Sequence, residues 1–143
     1  MNKEFVSILI AEDDADDRFL LQTAFEEKGF DENLLFVENG IEVMEYLDSM
    51  KNTKAQVYPK IILLDLNMPK KDGRQVLREL KQSDRYRRIP ILVFTTTKNE
   101  NEIKRCYELG ANTYIVKPAS FEELLTTIGH IRSYWLETAS IAD

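Results

Sequence analysis

The sequence predicts an α/β fold: a parallel five-stranded sheet wrapped on both faces by crossover helices, a doubly wound (βα)5 arrangement. Three observations predict it. Five short apolar runs rich in β-branched residues alternate with longer stretches of helical period. Three of these runs, SILIA, KIILL and ILVF, show no polar alternation, as expected of parallel strands covered on both faces. Gly29, Gly40, Gly73 and Gly110 fall near presumed helix ends, and Met68-Pro69 and Ile89-Pro90 punctuate the connections.

The first strand runs from Ser7 to Ala11, and the helix after it carries Phe19, Leu20 and Ala24 as its apolar stripe. Asp14, Asp16 and Asp17 crowd the start of that helix, where carboxylates cap it and complement its dipole. The second run, Leu34 to Val37, is short and ends in charge, which suits an edge strand. Its helix presents Val43, Met44 and Leu47, and the polar stretch from Asp48 to Ala55, with Gln56, Val57 and Tyr58 after it, reads as a surface loop. The third strand spans Lys60 to Leu64, followed by a helix with Val76, Leu77 and Leu80 inward. The fourth run, Ile91 to Phe94, precedes a helix marked by Ile103, Cys106 and Tyr107, with Cys106 a small buried hydrophobe. The fifth, Tyr114 to Val116, precedes Leu124, Leu125, Ile128 and Ile131 on a helix where His130 faces solvent. Residues 5–131 thus form one unit, and residues 132–143 a helical extension too short for a second domain.

Composition narrows the function classes. The 143 residues are 43% hydrophobic and 31% charged, ordinary values for a soluble globular domain. A chain this long buries about 70% of its unfolded surface without metal or disulfide staples. Cys106 is the single cysteine, so an intrachain disulfide and a multi-thiolate zinc site are both excluded. Neither a leader pattern nor an apolar run near the ~18 residues of a membrane span is present, so a cytoplasmic location and no membrane role are expected. The net charge of −6 argues against general nucleic-acid binding, and no DNA-binding domain is expected. The basic residues between Lys70 and Arg88 read as a solvated helix face.

Ligands of an open parallel sheet bind beyond the carboxyl ends of its strands. Directly after the apolar runs stand Glu12 and Asp13, then Asp65, then Thr95, then Lys117. Three carboxylates in one pocket repel each other by several kcal/mol unless protons or a cation neutralise them. A divalent ion is the simpler answer. With no histidine or thiolate at hand to favour zinc, the oxygen donors suit Mg2+.

These residues resemble the receiver domains of bacterial two-component response regulators. ILIAEDD matches the acidic pair, IILLDLNMPKKDG the phosphoacceptor segment, VFTTT the switch hydroxyl, and NTYIVKP the aromatic and lysine. DLNMPKKDG, LGANTYIVKP and the YWLET tail are most similar to the single-domain regulators that partner cyanobacterial phytochrome histidine kinases. The resemblance implies the CheY-like, flavodoxin-like strand order 2-1-3-4-5. It makes Asp65 the acceptor of a phosphoryl group from a sensor histidine kinase, with no output domain attached. The ligands of Mg2+ would be Asp13 directly, Glu12 through a water and Asn67 through its backbone carbonyl, with Asp65 completing the metal set. Lys117 and Thr95 would hold phosphoryl oxygens, and Thr95 with Tyr114 would form the switch that remodels the surface of the fourth helix, fifth strand and fifth helix. A cis Lys117-Pro118 bond is also implied. Asn67 and Thr97 occupy positions that tune phosphoryl lifetime. Glu12 stands where many relatives carry aspartate, which favours water-mediated metal contact.

Rival readings remain. An aspartyl phosphohydrolase needs a second aspartate two residues after the nucleophile, and Asn67 stands there. A degenerate scaffold would not keep all five pocket residues. A flavin protein of similar topology would need a phosphate-cradling loop where this chain is acidic. Tyr134, Trp135 and Leu136, beyond the core, must fold back or meet another chain. Homodimerisation through the fourth and fifth helices and this tail is the expectation.

Overall fold

The computed structural model describes residues 6–29, 33–51 and 58–142. Strands and helices alternate: β1 (Ile8–Ala11), α1 (Ala15–Glu27), β2 (Leu34–Val37), α2 (Gly40–Lys51), β3 (Ile61–Leu64), α3 (Gly73–Gln82), β4 (Ile91–Thr95), α4 (Glu100–Glu108), β5 (Thr113–Val116) and α5 (Phe121–Ile131). All strand pairs are parallel, in the order β2-β1-β3-β4-β5. This is the doubly wound sheet expected, with β2 at an edge.

Side chains alternate along each central strand and so divide the core in two. Ile8, Ile10, Ile61, Leu63, Leu92 and Phe94 pack under α1 and α5 with Leu21, Phe25, Leu124 and Ile128. Leu9, Ala11, Ile62, Leu64, Ile91 and Val93 pack under α2, α3 and α4 with Val43, Leu47, Val76, Leu77 and Cys106. Each large aliphatic side chain buried this way contributes roughly 1.5–3 kcal/mol. Asp14, Asp72, Asn99 and Ser120 cap the starts of α1, α3, α4 and α5 with their side-chain oxygens.

Three expectations need correction. The inward stripe of α1 is Leu21, Ala24 and Phe25, while Phe19 is 70% and Leu20 40% exposed. Three consecutive apolar residues offer competing helical registers, and packing against the sheet selects the one that pairs Leu21 with Phe25. On α4 only Cys106 is buried, and Tyr107 stays half exposed because its hydroxyl reaches β5. Asp48 to Lys51, read as loop, continue α2: polar residues there occupy its solvent side, and the Ser49 hydroxyl donates back to the Tyr46 carbonyl at 2.6 Å. Residue 5, residues 52–55 of the expected loop with Gln56 and Val57, and residue 143 of the tail lie outside the described residues.

Beyond α5 the chain continues through Arg132–Thr138 as a π-helical segment, in which Ala139 N–H donates to the Tyr134 carbonyl at 2.6 Å. Trp135 and Leu136 fold back onto the α1–α5 side of the core. Tyr134 remains exposed and meets the Trp135 ring edge-on, with centroids 5.1 Å apart.

Candidate functional site

Main-chain hydrogen bonds continue the sheet past its formal strand ends and bring the functional residues to one rim. Glu12 N–H donates to the Val37 carbonyl at 2.9 Å, Asp65 N–H to Ala11 at 3.1 Å, and Lys117 N–H to Thr95 at 2.8 Å. Glu12, Asp65 and Thr95 are buried there, and Asp13 is exposed at the mouth. Helix α3 closes the floor beneath Asp65. A Cβ on Gly73 would lie 2.3 Å from the Asp65 carbonyl oxygen, so only glycine lets the α3 N-terminus approach this closely. Gly73 N–H also donates to the Leu66 carbonyl at 2.9 Å, and Asn67 N–H to Asp65 Oδ1 at 3.2 Å.

The Lys117 ammonium is the hub of the charges. It lies 2.6 Å from Glu12 Oε1, 3.0 Å from Asp17 Oδ2 and 3.2 Å from Asp65 Oδ2. Burial alone opposes its charge, but the hydrogen bond and charge of Glu12 and the charge of Asp65 outweigh that and raise its pKa above the ordinary lysine value. Glu12 shows the converse. Burial pushes its carboxyl up from 4.5 to about 7, and the hydrogen bond and charge of Lys117 only partly offset this.

Ligand oxygens of Glu12, Asp13 and Asp65 all lie within 4.8 Å of one another. Buried Glu12 Oε1 faces the Lys117 ammonium at 2.6 Å, and its Oε2 accepts from the Asp14 N–H at 3.2 Å. A cluster of three carboxylates that offers only oxygen ligands, against one ammonium, fits a hard divalent cation.

The sequence-predicted residues are therefore distributed as follows. Glu12, Asp13, Asp65 and Lys117 converge. Thr95 Oγ1 sits 3.5 Å from Asn67 Nδ2, one residue removed from the carboxylates. Tyr114 is half buried on the α4 side, its hydroxyl donating to the Thr97 carbonyl at 2.8 Å and its N–H to Tyr107 Oη at 3.0 Å. The Lys117–Pro118 peptide is trans, against expectation; the lysine reaches the carboxylates from a backbone still hydrogen-bonded in register with β4. Tyr134, Trp135 and Leu136 lie away from the rim, in the π-helical segment that follows α5.

Its position in the first turn predicts Asp17 as a capping residue. Asp14 does the capping, accepting from the Asp17 N–H at 3.0 Å, which leaves the Asp17 carboxylate for Lys117. Asp14, Asp16 and Asp17 are alike in sequence, and no spacing within this run singles out Asp17 as the partner of a lysine 100 residues later.

A family model described as the response regulator receiver domain matches residues 8–129. Response regulator Rcp1 of Synechocystis is 38% identical over 134 residues, covering 94% of this chain and 91% of that protein. The crystal structure of the phosphorylated cyanobacterial phytochrome response regulator RcpA is 37% identical, covers 97% of this chain and 99% of that one, and superimposes with a TM-score of 0.87. The Mn2+-bound form of Rcp1 is 38% identical, with coverages of 95% and 98% and a TM-score of 0.84.

Proposed function

The chain belongs to the response regulator receiver domain family, and on that premise we propose that Asp65 accepts a phosphoryl group from a histidine kinase of phytochrome type. The observation that carries this reading is the pairing of a buried carboxylate with a lysine ammonium 3.2 Å away, inside a three-carboxylate cluster. An Asp65 Oδ attacks the phosphorus of a phosphohistidine. The O–P bond forms as the N–P bond breaks, and the electron pair returns to the imidazole nitrogen. Lys117 holds charge on a phosphoryl oxygen, and Thr95 receives another through its hydroxyl.

Glu12, Asp13 and Asp65, with the Asn67 backbone carbonyl, would hold Mg2+. A bound divalent ion supplies neutralisation of carboxylate and phosphoryl charge. The family is one of signalling domains rather than metabolic enzymes, and self-promotion of phosphorylation is the catalysis proposed here. Phosphorylation adds roughly −1.5 to −2 of charge. Thr95 is drawn toward it, Tyr114 turns inward, and the surface of α4, β5 and α5 changes. That surface and exposed Tyr134 serve self-association, our reading of the homodimer. Among the described residues no helix is long and apolar enough to cross a membrane; a cytoplasmic site of action completes the proposal.

Incubation with Mg2+ and acetyl phosphate, followed by intact-mass measurement, tests the reading. Wild type should gain one phosphoryl mass, and Asp65→Asn or wild type in excess chelator none. A wild type that gains nothing, or an Asp65→Asn protein that gains as much, overturns it.

A further inference from the structure

An ammonium group has three N–H donors, and Lys117 has three carboxylate neighbours: Glu12 at 2.6 Å, Asp17 at 3.0 Å and Asp65 at 3.2 Å. Two of these come from strand ends. The third comes from the first turn of α1, and it differs in exposure: the Asp17 side chain is 39% accessible, against 2% for Glu12 and 7% for Asp65. Glu12 therefore holds the ammonium from the buried side of the pocket and Asp17 from the solvent side. The Asp17 carboxylate has no part in capping α1, because only its backbone N–H bonds to Asp14. Asp17 and Lys117 also line one groove with Leu20, Phe94, Pro118 and Phe121, between α1 and the start of α5. A phosphodonor protein closing over that groove would remove water from the pair and strengthen it.

We propose that Asp17 is a positioning residue for phosphoryl transfer, drawing the Lys117 ammonium toward the pocket mouth so that the donor now facing Asp65 meets the incoming phosphoryl oxygen. The inference rests on Asp65 being the phosphoacceptor. Without Asp17, the closest and most buried partner, Glu12, keeps the ammonium at the back of the pocket. The partly exposed bond is worth a modest factor, roughly three- to tenfold in rate.

The test is the rate of phosphoryl uptake from acetyl phosphate with Mg2+, followed by intact mass, in wild type, Asp17→Ala, Lys117→Ala and the double variant. Alanine on the first turn of α1 keeps the helix and the Asp14 cap, so the variant folds. Asp17→Ala slows uptake in the wild-type background and leaves the slower Lys117→Ala protein unchanged, because the two residues act as one unit. A merely structural role would slow both backgrounds alike. The inference is overturned if Asp17→Ala stays within about twofold of wild type, or if it slows the Lys117→Ala protein by the same factor. Absence of uptake by wild type is a different result: it overturns the phosphoacceptor reading, and this inference with it.

Discussion

Tyr107 on α4 accepts a 3.0 Å hydrogen bond from the backbone N–H of Tyr114 on β5. Strand β5 lies at the sheet edge, where an outward N–H would otherwise turn to solvent or to another chain. Because the Tyr114 hydroxyl also bonds the Thr97 carbonyl at 2.8 Å, Tyr114 is fastened at both ends to α4 and the loop before it.

Tyr107→Phe removes one of these ties and leaves the fold. Stability should fall by about 0.5–1.5 kcal/mol, the net value of one hydrogen bond. Hydrogen exchange at the Tyr114 amide should accelerate in the variant. An unchanged exchange rate would mean the bond does not protect that amide in solution.

Glu12 makes the metal-free protein pH-sensitive. Its carboxyl titrates near 4.5 when unfolded and at about 7 when folded, because burial disfavours the charge. Between those values the folded chain keeps a proton that the unfolded chain has lost, so this group's contribution falls as pH rises and is constant above about 7. The whole effect is about 3 kcal/mol. Urea unfolding in chelator, repeated across this window, should show Glu12→Gln gaining on wild type as pH rises, and added Mg2+ should narrow the gap. Parallel pH profiles for the two proteins would contradict the assignment.

Gly73→Ala would place a methyl group 2.3 Å from the Asp65 carbonyl oxygen and 2.7 Å from the Leu66 Cα. Both contacts are with backbone, so either α3 or the end of β3 must move. A loss of about 2 kcal/mol or more is expected, with phosphoryl uptake slowed alongside. Wild-type uptake in a destabilised variant would show that the α3 approach serves the fold and not the site.

The tail separates into two roles. Trp135 packs against the core, so Trp135→Ala should lower stability by about 1–3 kcal/mol. Tyr134 is exposed, so Tyr134→Lys should spare stability and weaken self-association in sedimentation velocity. Association that survives Tyr134→Lys unaltered would take that residue out of the dimer.

Much of this molecule was legible in the sequence. Ile8–Ala11, Ile61–Leu64 and residues 91–94 are apolar on consecutive positions, as strands buried on both faces are. Once those runs are parallel strands of one sheet, the residues after them must share a rim, and Glu12, Asp13, Asp65 and Lys117 follow directly. The chemistry of the pocket was readable because main-chain periodicity places it.

What the sequence could not decide depends on contacts between distant segments. Phe19, Leu20 and Leu21 are equally apolar, and only the sheet beneath α1 selects Leu21 as the buried one. Asp14 and Asp17 are equally acidic at one helix start, and only the position of Lys117, 100 residues away in the chain, separates the cap from the ion-pair partner. Tyr134, Trp135 and Leu136 form one apolar cluster in sequence, and the turn of the π-helical segment divides them between core and solvent. Periodicity determines which elements form and which ends converge; the choice among chemically equivalent neighbours is made by what packs against them.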